Sequence, residues 1–380
     1  MIAACVADYR ELARRRLPRV LFDYIDGGSY GEVTLRRNVE DFEAIALRQR
    51  VLRDVSKISL ATEWFGQPLS MPVALAPVGM AGMYARRGEA QAARAAHAAG
   101  VPMILSSVSV CDLAEVKAAT GEAPWFQLYM IKDRAYMADL LARAAGLGVK
   151  VLVFTVDLPV PGARYRDYRT GLFGGNAAAT VLKRGLDGAL HPGWVQDVWL
   201  RGRPHSFGNI AAAIPDARGI MEFWPWVTRN FDPTLTWADL EWVRQHWKGP
   251  IVLKGVLDPE DAREAVRHGV DGIVVSNHGG RQLDGVLSGA RALPAIAQAV
   301  GDDTTVLMDG GVRSGLDVVK ALALGAKGVL IGRAWAWALG ARGEAGVAHV
   351  LAVLRQEMMM AMALTGCTDV SNADASLLAA

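Results

Sequence analysis

Residues 271–285 read DGIVVSNHGGRQLDG and place a base, a cation and two glycines at the end of an apolar run. The run ends at Ser276, His278 follows two positions later, and Arg281 three positions after that. An imidazole can take a proton and a guanidinium can hold an anion, while glycines leave room for a ligand beside the backbone. The alternative is a strand followed by a glycine-rich turn with a solvated histidine. The ends of the other apolar runs favour the first interpretation, because they carry polar groups too.

Two later runs end in glycine and arginine. The residues are Asp309, Gly310, Gly311, Arg313, Gly332 and Arg333. Glycine N–H groups and guanidiniums together suit a phosphate, and a helix beginning near Gly315 would add its N-terminal dipole. A plain turn is the alternative, but the last two strand ends of an α/β barrel are the usual phosphate site of that fold. The sequence therefore predicts phosphate binding there.

Four other strand ends suit the edges of a flat, polar heterocycle above such a phosphate. They carry Ser106, Gln127, Thr155 and Lys254. A lysine that ends an apolar strand is costly to bury without an anion, and beside an isoalloxazine it could stabilise negative charge. The alternative for Lys254 is an ion pair with a neighbouring carboxylate.

The remaining polar groups suit a small hydroxy acid. Arg281 and Arg164 could clamp a carboxylate, aided by the phenols of Tyr24 and Tyr129. His278 could then take a proton while Asp157 orients the ring and stabilises its charged form. No nucleophile motif and no His or Cys cluster with metal-ligand spacing occurs, which disfavours hydrolysis and metal chemistry.

Eight short apolar runs must position these groups. They cover 73–77, 101–106, 125–129, 151–157, 251–254, 272–276, 305–309 and 329–332. Helical patterns separate most of them, at 89–99, 134–145, 259–267, 293–300 and 315–324. Apolar strands alternating with helices indicate a parallel sheet buried on both faces, and eight such units predict an α/β fold, the closed (β/α)₈ TIM barrel. A doubly wound open sheet is the runner-up, but no GxGxxG follows an early strand.

The expected organisation is one domain over 1–380. A helical N-terminal extension, 1–70 with a helix at 8–24, precedes a barrel at 71–365, and 366–380 form a tail. Residues 158–250 are far longer than an ordinary connection, so we expect a long insertion between strands 4 and 5, above the barrel mouth. Within it, 172–230 is expected to be mobile and to face a membrane.

Composition narrows the class of protein further. The 380 residues are 52% hydrophobic, with 41 Lys and Arg against 39 Asp and Glu, so nothing suggests nucleic acid as a partner. Three cysteines without metal spacing fit a reduced, cytoplasmic-side protein, and no apolar window is long enough to predict a transmembrane helix.

The chain resembles the FMN-dependent 2-hydroxy-acid dehydrogenases and oxidases, and SNHGGRQLDG at 276–285 is similar to the active-site signature of that family. The resemblance extends from residue 8 to about residue 366, and it is greatest to the respiratory, quinone-linked members that oxidise L-lactate. The segments that carry it are LRRNVEDFEAIALRQR (35–50), SMPVALAPVGMAGMYARRGE (70–89), SSVSVCDLAEV (106–116), WFQLY (125–129), VFTVDLPVPGARYRD (153–167) and FDPTLTWADLEW (231–242).

The resemblance implies FMN as cofactor and a 2-hydroxy acid as substrate. It makes His278 the catalytic base with Asp157 as its partner, and it places the substrate on Tyr24, Tyr129, Arg164 and Arg281. The FMN contacts that it implies are Ala76, Pro77, Val78, Gly79, Ser106, Gln127, Thr155, Lys254, Ser276, Asp309, Gly310, Gly311, Arg313, Gly332 and Arg333.

The expected reaction is oxidation of L-lactate to pyruvate, with electrons passed to a membrane quinone by a homo-oligomer, specifically a tetramer. Another (S)-2-hydroxy acid such as mandelate or glycolate, with oxygen as acceptor, is the alternative. Gly79 is similar to the dehydrogenase members, whereas several oxidases carry a bulkier residue there. A flavin-dependent isomerase and a non-catalytic flavoprotein are the hypotheses from other classes.

Aromatic residues in the insertion suggest where the protein acts. Trp194, Trp199, Phe223, Trp224 and Trp226 lie among Gly, Ala and Pro with a slight excess of Lys and Arg. Tryptophan favours the membrane interface and cations favour anionic lipid. We therefore expect peripheral attachment to the cytoplasmic side of the inner membrane. The alternative is that these rings pack the insertion onto the barrel or fill an oligomer contact.

Overall fold

The computed structural model describes residues 2–172, 178–213 and 223–379, except for the side chains of residues 212 and 223–225. Ten strands are present in these residues. A hairpin is formed by β1 (Thr62–Trp64) and β2 (Gln67–Leu69). The barrel strands are β3 (Val73–Leu75), β4 (Ile104–Ser106), β5 (Trp125–Leu128), β6 (Leu152–Thr155), β7 (Ile251–Val256), β8 (Gly272–Val275), β9 (Thr305–Asp309) and β10 (Gly328–Ile331).

The eight strands pair in parallel around a barrel, as the alternating pattern predicts. Their order is β3-β10-β9-β8-β7-β6-β5-β4, and a parallel bridge between Leu75 and Met103 connects β3 to the segment before β4. Because all strands run in one direction, every carboxyl end lies at the same mouth. The predicted barrel is confirmed, and each predicted apolar run overlaps one of its strands.

Each barrel strand contributes one inward-facing side chain to the interior of the barrel. Ala74, Val153, Val252 and Val274 belong to this inner cluster, together with Trp64 of the hairpin. A side-chain carbon on Gly328 would lie 1.9 Å from the Trp64 ring, so glycine is required where this indole enters the barrel. The Trp64 side chain therefore fills part of the barrel interior. The pattern of apolar runs in the sequence does not predict this role.

Helices cover the outside of the barrel and form the insertion. They are α1 (Val6–Arg16), α2 (Arg19–Asp26), α3 (Val33–Glu43), α4 (Gly88–Ala99), α5 (Leu113–Thr120), α6 (Arg134–Gly146), α7 (Tyr165–Thr170), α8 (Ala178–Ala189), α9 (Pro192–Trp194), α10 (Phe223–Asn230), α11 (Trp237–His246), α12 (Pro259–Arg267), α13 (Gly289–Val300), α14 (Gly315–Ala323) and α15 (Arg333–Thr365). A π-helical turn spans Val195–Leu200, and 3₁₀ turns span Ala81–Met83, Ala211–Ala213, Val370–Asn372 and Ala375–Leu377.

Two predicted helices differ from the structure by more than one residue. The single helix predicted at 8–24 is wrong, because Pro18 lacks the N–H that a continuous helix needs and instead caps the start of α2. The helix predicted to begin at 293 begins four residues earlier, since Ser288 caps it by accepting a hydrogen bond from the Arg291 N–H.

Helix α15 is long and apolar enough to cross a membrane by length and composition, alone among the helices of the described residues. It packs against α1, α4 and α14, and it buries Trp335, Leu351 and Leu354. The helix kinks at Arg342 and Gly343, where the backbone leaves the helical region. These contacts make α15, which follows the last barrel strand, a helix of the protein core.

The insertion between β6 and β7 contains α7 to α11. Two of its tryptophans, Trp194 and Trp226, are buried, whereas Trp199 is exposed. The side chains of Phe223 and Trp224 lie outside the described residues, as do residues 173–177 and 214–222. The described tryptophans thus divide between packing and exposure, and composition alone could not separate the two uses.

Candidate active site

A cleft lies at the carboxyl ends of the strands, where ligand sites of α/β barrels are found. Most residues expected at the site line it. They are Tyr24, Ala76, Pro77, Val78, Gly79, Tyr129, Thr155, Arg164, Lys254, His278, Arg281, Asp309, Gly310, Gly311, Arg313, Gly332 and Arg333. Four others, Ser106, Gln127, Asp157 and Ser276, are not among the lining residues. Asp157 and Ser276 pair with His278 and Lys254 of the lining, Ser106 accepts from the Val108 N–H, and Gln127 accepts from the Ser106 hydroxyl.

His278 lies directly after β8 and pairs with Asp157. Its Nδ1 is 2.8 Å from Asp157 Oδ1, and its Nε2 is 3.4 Å from the Tyr129 hydroxyl. The residue has φ +57°, a left-handed conformation that is strained outside glycine, and its N–H donates to Ser276 Oγ at 3.0 Å. Asp157 therefore occupies one ring nitrogen and leaves Nε2 for a molecule beside Tyr129.

The charges around this pair favour a neutral imidazole facing a carboxylate. Burial lowers the pKa of His278 below its ordinary value, and it outweighs the opposing attraction of Asp157. Burial alone would raise the pKa of Asp157, but His278 and Lys254 lower it below its ordinary value. A neutral histidine oriented by an ionised aspartate is ready to accept a proton.

Two cations, one buried and one partly buried, lie together beside this base. Arg164 is 4% exposed, and its Nε donates to the Arg281 carbonyl at 3.3 Å. The Arg281 guanidinium donates to the Gly27 carbonyl at 3.0 Å and stands over the Tyr24 ring, 4.7 Å from its centroid. Burial and the neighbouring Arg281 lower the pKa of Arg164. An anionic ligand would relieve this repulsion, so the pair suits a carboxylate.

The ends of β9 and β10 form an anion cradle. Gly310 and Gly311 have φ of +89° and +91°, and a side-chain carbon on Gly311 would lie 1.8 Å from the Asn38 carbonyl oxygen. Arg333 donates to the carbonyls of Gly27 and Gly279 at 2.7 and 2.8 Å. Burial lowers the pKa of Arg333, and it lowers the pKa of Arg313 to about 10. Two partly buried guanidiniums beside a glycine backbone fit a phosphate.

Polar atoms at the remaining strand ends fit a flat heterocycle. Gln127 Nε2, Thr155 Oγ1 and Asp309 Oδ1 are buried and have no hydrogen-bond partner within the described part of the chain. Buried polar atoms are rarely left in this state, so these atoms are suited to pair with a bound ring. The residues present therefore fit FMN, with its phosphate in the cradle.

Lys254 is ion-paired, the alternative that its sequence left open. Its Nζ lies 3.0 Å from Asp309 Oδ2 and donates to Ser276 Oγ, also at 3.0 Å. Burial alone would lower the pKa of Lys254, but Asp309 and Asp157 raise it. The lysine is thus held charged, at the wall of the cleft where a ring would lie.

Sequence reasoning missed residues that support the site from behind. The Gln282 side chain donates to the carbonyls of Asp157 and Val160 and accepts from the Gly162 N–H, so it braces the loop between β6 and Arg164. Burial raises the pKa of Asp167 to about 6, against the attraction of Arg281 and Arg164. Gln282 follows Arg281 by one position, and Asp167 follows Arg164 by three. This closeness to predicted site arginines is the signal in the sequence that points to them.

Sequence reasoning also missed the apolar wall of the cleft. Val108, Leu158, Val227 and Phe231 line it, and the Phe231 ring centroid is 5.2 Å from that of Tyr129. Val227 and Phe231 come from the end of the insertion, which confirms that the insertion reaches the mouth. No local pattern marks them, because their role depends on where the chain returns.

A closed barrel whose mouth joins a phosphate cradle to a histidine–aspartate pair and two arginines defines a flavin-dependent oxidoreductase. The chain belongs to the FMN-dependent dehydrogenase family, whose sequence profile matches residues 13–380. FMN is accordingly its cofactor.

Curated relatives extend over the whole chain. A protein of Caulobacter vibrioides (strain NA1000 / CB15N) named L-lactate dehydrogenase is 62% identical over 379 residues, covering 100% of this chain and 98% of the relative. An L-lactate dehydrogenase of Chromohalobacter salexigens is 58% identical, covering 98% and 94%. Resemblance at this level leaves no part of the barrel or insertion without a counterpart.

Solved structures of similar proteins share the fold. A crystal structure described as monotopic membrane protein (S)-mandelate dehydrogenase superposes with a TM-score of 0.93 at 35% identity and covers 100% of both chains. A mandelate oxidase superposes with a TM-score of 0.84 at 40% identity, covering 100% of this chain and 98% of that one.

Proposed function

We propose that this chain oxidises L-lactate to pyruvate and that the electrons then reach a membrane quinone. The observation that carries the proposal is the position of His278 Nε2, beside the Tyr129 hydroxyl, with Asp157 on its other nitrogen. The names of the Caulobacter and Chromohalobacter relatives support lactate as the substrate.

When bound, FMN would accept two electrons and one of the two hydrogens that the substrate loses, and the other hydrogen leaves as a proton. Arg164 and Arg281 hold the lactate carboxylate, which places the α-carbon and hydroxyl beside His278. His278 Nε2 takes a proton from the substrate, and Asp157 stabilises the imidazolium that forms. Burial keeps the pKa of His278 low enough for the base to be neutral before the reaction.

The alternative substrate is another (S)-2-hydroxy acid, such as mandelate or glycolate, with oxygen as acceptor. The structural likeness to mandelate dehydrogenase and mandelate oxidase favours this reading. The wall of Val108, Val227 and Phe231 would contact a larger apolar group. The carboxylate clamp and the base would act on both substrates in the same way. The contact between the apolar wall and the side group of the substrate therefore decides which hydroxy acid is preferred.

The test is reduction of the yellow holoprotein under anaerobic conditions. L-lactate, D-lactate, (S)-mandelate and glycolate are added separately, and loss of flavin absorbance is followed. We expect bleaching to be fastest with L-lactate and absent with D-lactate. A flavin-dependent isomerase or a non-catalytic flavoprotein would stay yellow with all four. Reoxidation by a quinone and by oxygen is then compared, and fast hydrogen peroxide formation without quinone stimulation would contradict the quinone assignment.

We further propose peripheral attachment to the cytoplasmic side of the inner membrane through the insertion. Helix α8 is amphipathic but turned outward: Val181, Leu182 and Leu186 are 52–64% exposed, and no residue of this helix is buried. Its polar face meets the protein, since Asp187 accepts a hydrogen bond from the Arg19 N–H at 2.7 Å. An outward apolar face on an amphipathic helix suits the boundary of a lipid bilayer.

The likeness to a monotopic membrane dehydrogenase supports this attachment. Deletion of residues 178–215 is expected to release the protein into the soluble fraction with flavin bound. A deleted protein that still sediments with membranes would exclude this segment as the anchor. A homotetramer is the expected assembly, and the mass of the detergent-solubilised protein tests it.

A further inference from the structure

A second pocket, away from the cleft, is lined by five arginines. It lies between α1, α4 and the kink of α15, encloses ≈ 1030 Å³ of empty space and shares no lining residue with the active-site cleft. The arginines that line it are Arg16, Arg86, Arg87, Arg94 and Arg342. Three of them lie within residues 86–94, and the fold brings Arg16 and Arg342 to the same place.

The carboxylates beside these arginines are fewer. Asp197, from the π-helical turn, lies 3.2 Å from Arg16 and 3.7 Å from Arg86, while Glu344 pairs with Arg94 at 2.7 Å. Glu115 pairs with Arg87. The described side chains that line the pocket include these five guanidiniums and two carboxylates, Asp197 and Glu344, so the lining carries an excess of positive charge.

The fifth arginine, Arg342, stands over the ring of Tyr9, 5.8 Å from its centroid. The side chains of Arg86 and Arg94 remain 51% and 42% exposed, so their guanidiniums are accessible to a ligand. Like charges held together in this way repel one another, and an anion among them would remove the repulsion.

The backbone frame of the pocket is fixed by Gln91. Its Nε2 donates to the Arg86 carbonyl at 2.6 Å, and its Oε1 accepts from the Glu344 N–H at 2.9 Å. Gly343 has φ +60°, and a side-chain carbon there would lie 2.5 Å from Gln91 Oε1. The kink of α15 is therefore locked onto α4, and it places Arg342 and Arg86 in one pocket.

We propose that this pocket binds the phosphate group of an anionic ligand. A phosphate carries a charge of roughly −1.5 to −2 at neutral pH, which suits the excess of cations. Its three terminal oxygens can accept hydrogen bonds from several guanidiniums at once. Asp197 is followed by the exposed Trp199 and Leu200, so a phospholipid headgroup is the expected source of the phosphate.

The test uses the holoprotein and two probes. Pyrophosphate binding is measured by calorimetry, and vesicle binding by flotation with phosphatidylcholine alone or with added phosphatidylglycerol. The pocket variant combines Arg86→Gln with Arg94→Gln. The matched control combines Arg14→Gln with Arg15→Gln, which removes the same charge from α1, where both arginines pair with Glu11.

We expect the pocket variant to lose about ten-fold in affinity for the probe that binds, whereas the control stays near wild type. Loss confined to phosphatidylglycerol vesicles identifies a lipid headgroup, and loss confined to pyrophosphate identifies a soluble phosphate. The proposal is overturned if neither probe binds, or if the control loses as much as the pocket variant. Arg86→Gln alone, at a half-exposed side chain, repeats the test if the double variant misfolds.

The rate of flavin reduction by lactate should stay at the wild-type value in all these variants. Phosphate binding and catalysis use separate residues, so the failure of one proposal would leave the other intact.

Discussion

The barrel mouth and helix α8 use charged and apolar side chains in opposite ways. At the mouth, Arg164, Lys254 and Asp157 are charged groups withdrawn from water among neighbouring polar partners. On α8, leucines such as Leu182 and Leu186 face water while Asp187 turns toward the protein. Burying charged groups costs free energy, and so does exposing apolar side chains to water. On the proposals made above, a small anionic ligand stabilises the arginines of the first region and an apolar surface covers the leucines of the second.

Helix α13 sharpens this contrast, because it has the same length as α8 and a similar amphipathic pattern. Both span 12 residues, but α13 buries Leu293, Ile296 and Val300 against the barrel. The pattern in the sequence is thus equivalent in the two helices, and what covers the apolar face differs. The four predictions that follow separate the two regions, from the largest expected effect to the smallest.

Replacing His278 by glutamine should have the largest effect and should leave α8 unaffected. We expect flavin reduction by L-lactate to slow by at least about 10²-fold, because glutamine cannot take the proton that Nε2 accepts. Anaerobic stopped-flow absorbance measures the rate. His246→Gln, at an exposed histidine of α11, is the matched control. Reduction at the wild-type rate in His278→Gln would show that another group is the base.

Replacing Arg333 by alanine should weaken FMN retention without moving the protein off the membrane. The loss of a charge-assisted hydrogen bond predicts about 1.5–3 kcal/mol, measured as the dissociation constant of FMN from the apoprotein. Arg263→Ala, at an exposed arginine of α12, removes the same charge elsewhere. Unchanged flavin affinity in Arg333→Ala would argue against the cradle as the phosphate site.

Replacing Leu182 and Leu186 together by serine tests the opposite region. The membrane-bound fraction should fall about ten-fold, since each leucine contributes buried apolar area at the bilayer surface. Flotation with vesicles measures the fraction, and flavin content and lactate oxidation should stay the same. Leu316 and Leu364 are exposed leucines of the barrel helices, and their serine variants are the controls. Equal losses in both pairs would mean that α8 is not a specific contact.

The smallest expected effect is a dependence of kcat/KM on pH at the mouth alone. Burial lowers the pKa of His278 below 6.5, and the base acts in its neutral form. Catalytic efficiency should therefore stay level from about pH 8 to 6.5 and fall only below, as the imidazole gains a proton. Asp157→Asn should move the midpoint lower still, because it removes the charge that raises this pKa. A midpoint above 6.5 would mean that Asp157 outweighs burial.

Much of the barrel could be predicted because its signals are local. A parallel strand buried on both faces is an apolar run wherever it occurs, and the polar residue that ends it marks the mouth. The predicted groups at the ends of β8, β9 and β10 were found together for this reason. The prediction of one helix at 8–24 was wrong at Pro18, because proline lacks the backbone N–H that a continuous helix needs.

The sequence by itself determined the barrel, the polar strand ends and the amphipathic pattern of α8, since each depends on residues a few positions apart. Only the tertiary structure decided that Asp157 meets His278 across 121 positions, that Trp64 fills the barrel, and that the apolar face of α8 turns outward. It also brought the five arginines of the second pocket together. The physical reason is that contacts between distant segments are set by how the whole chain packs, and no short window of sequence contains that information.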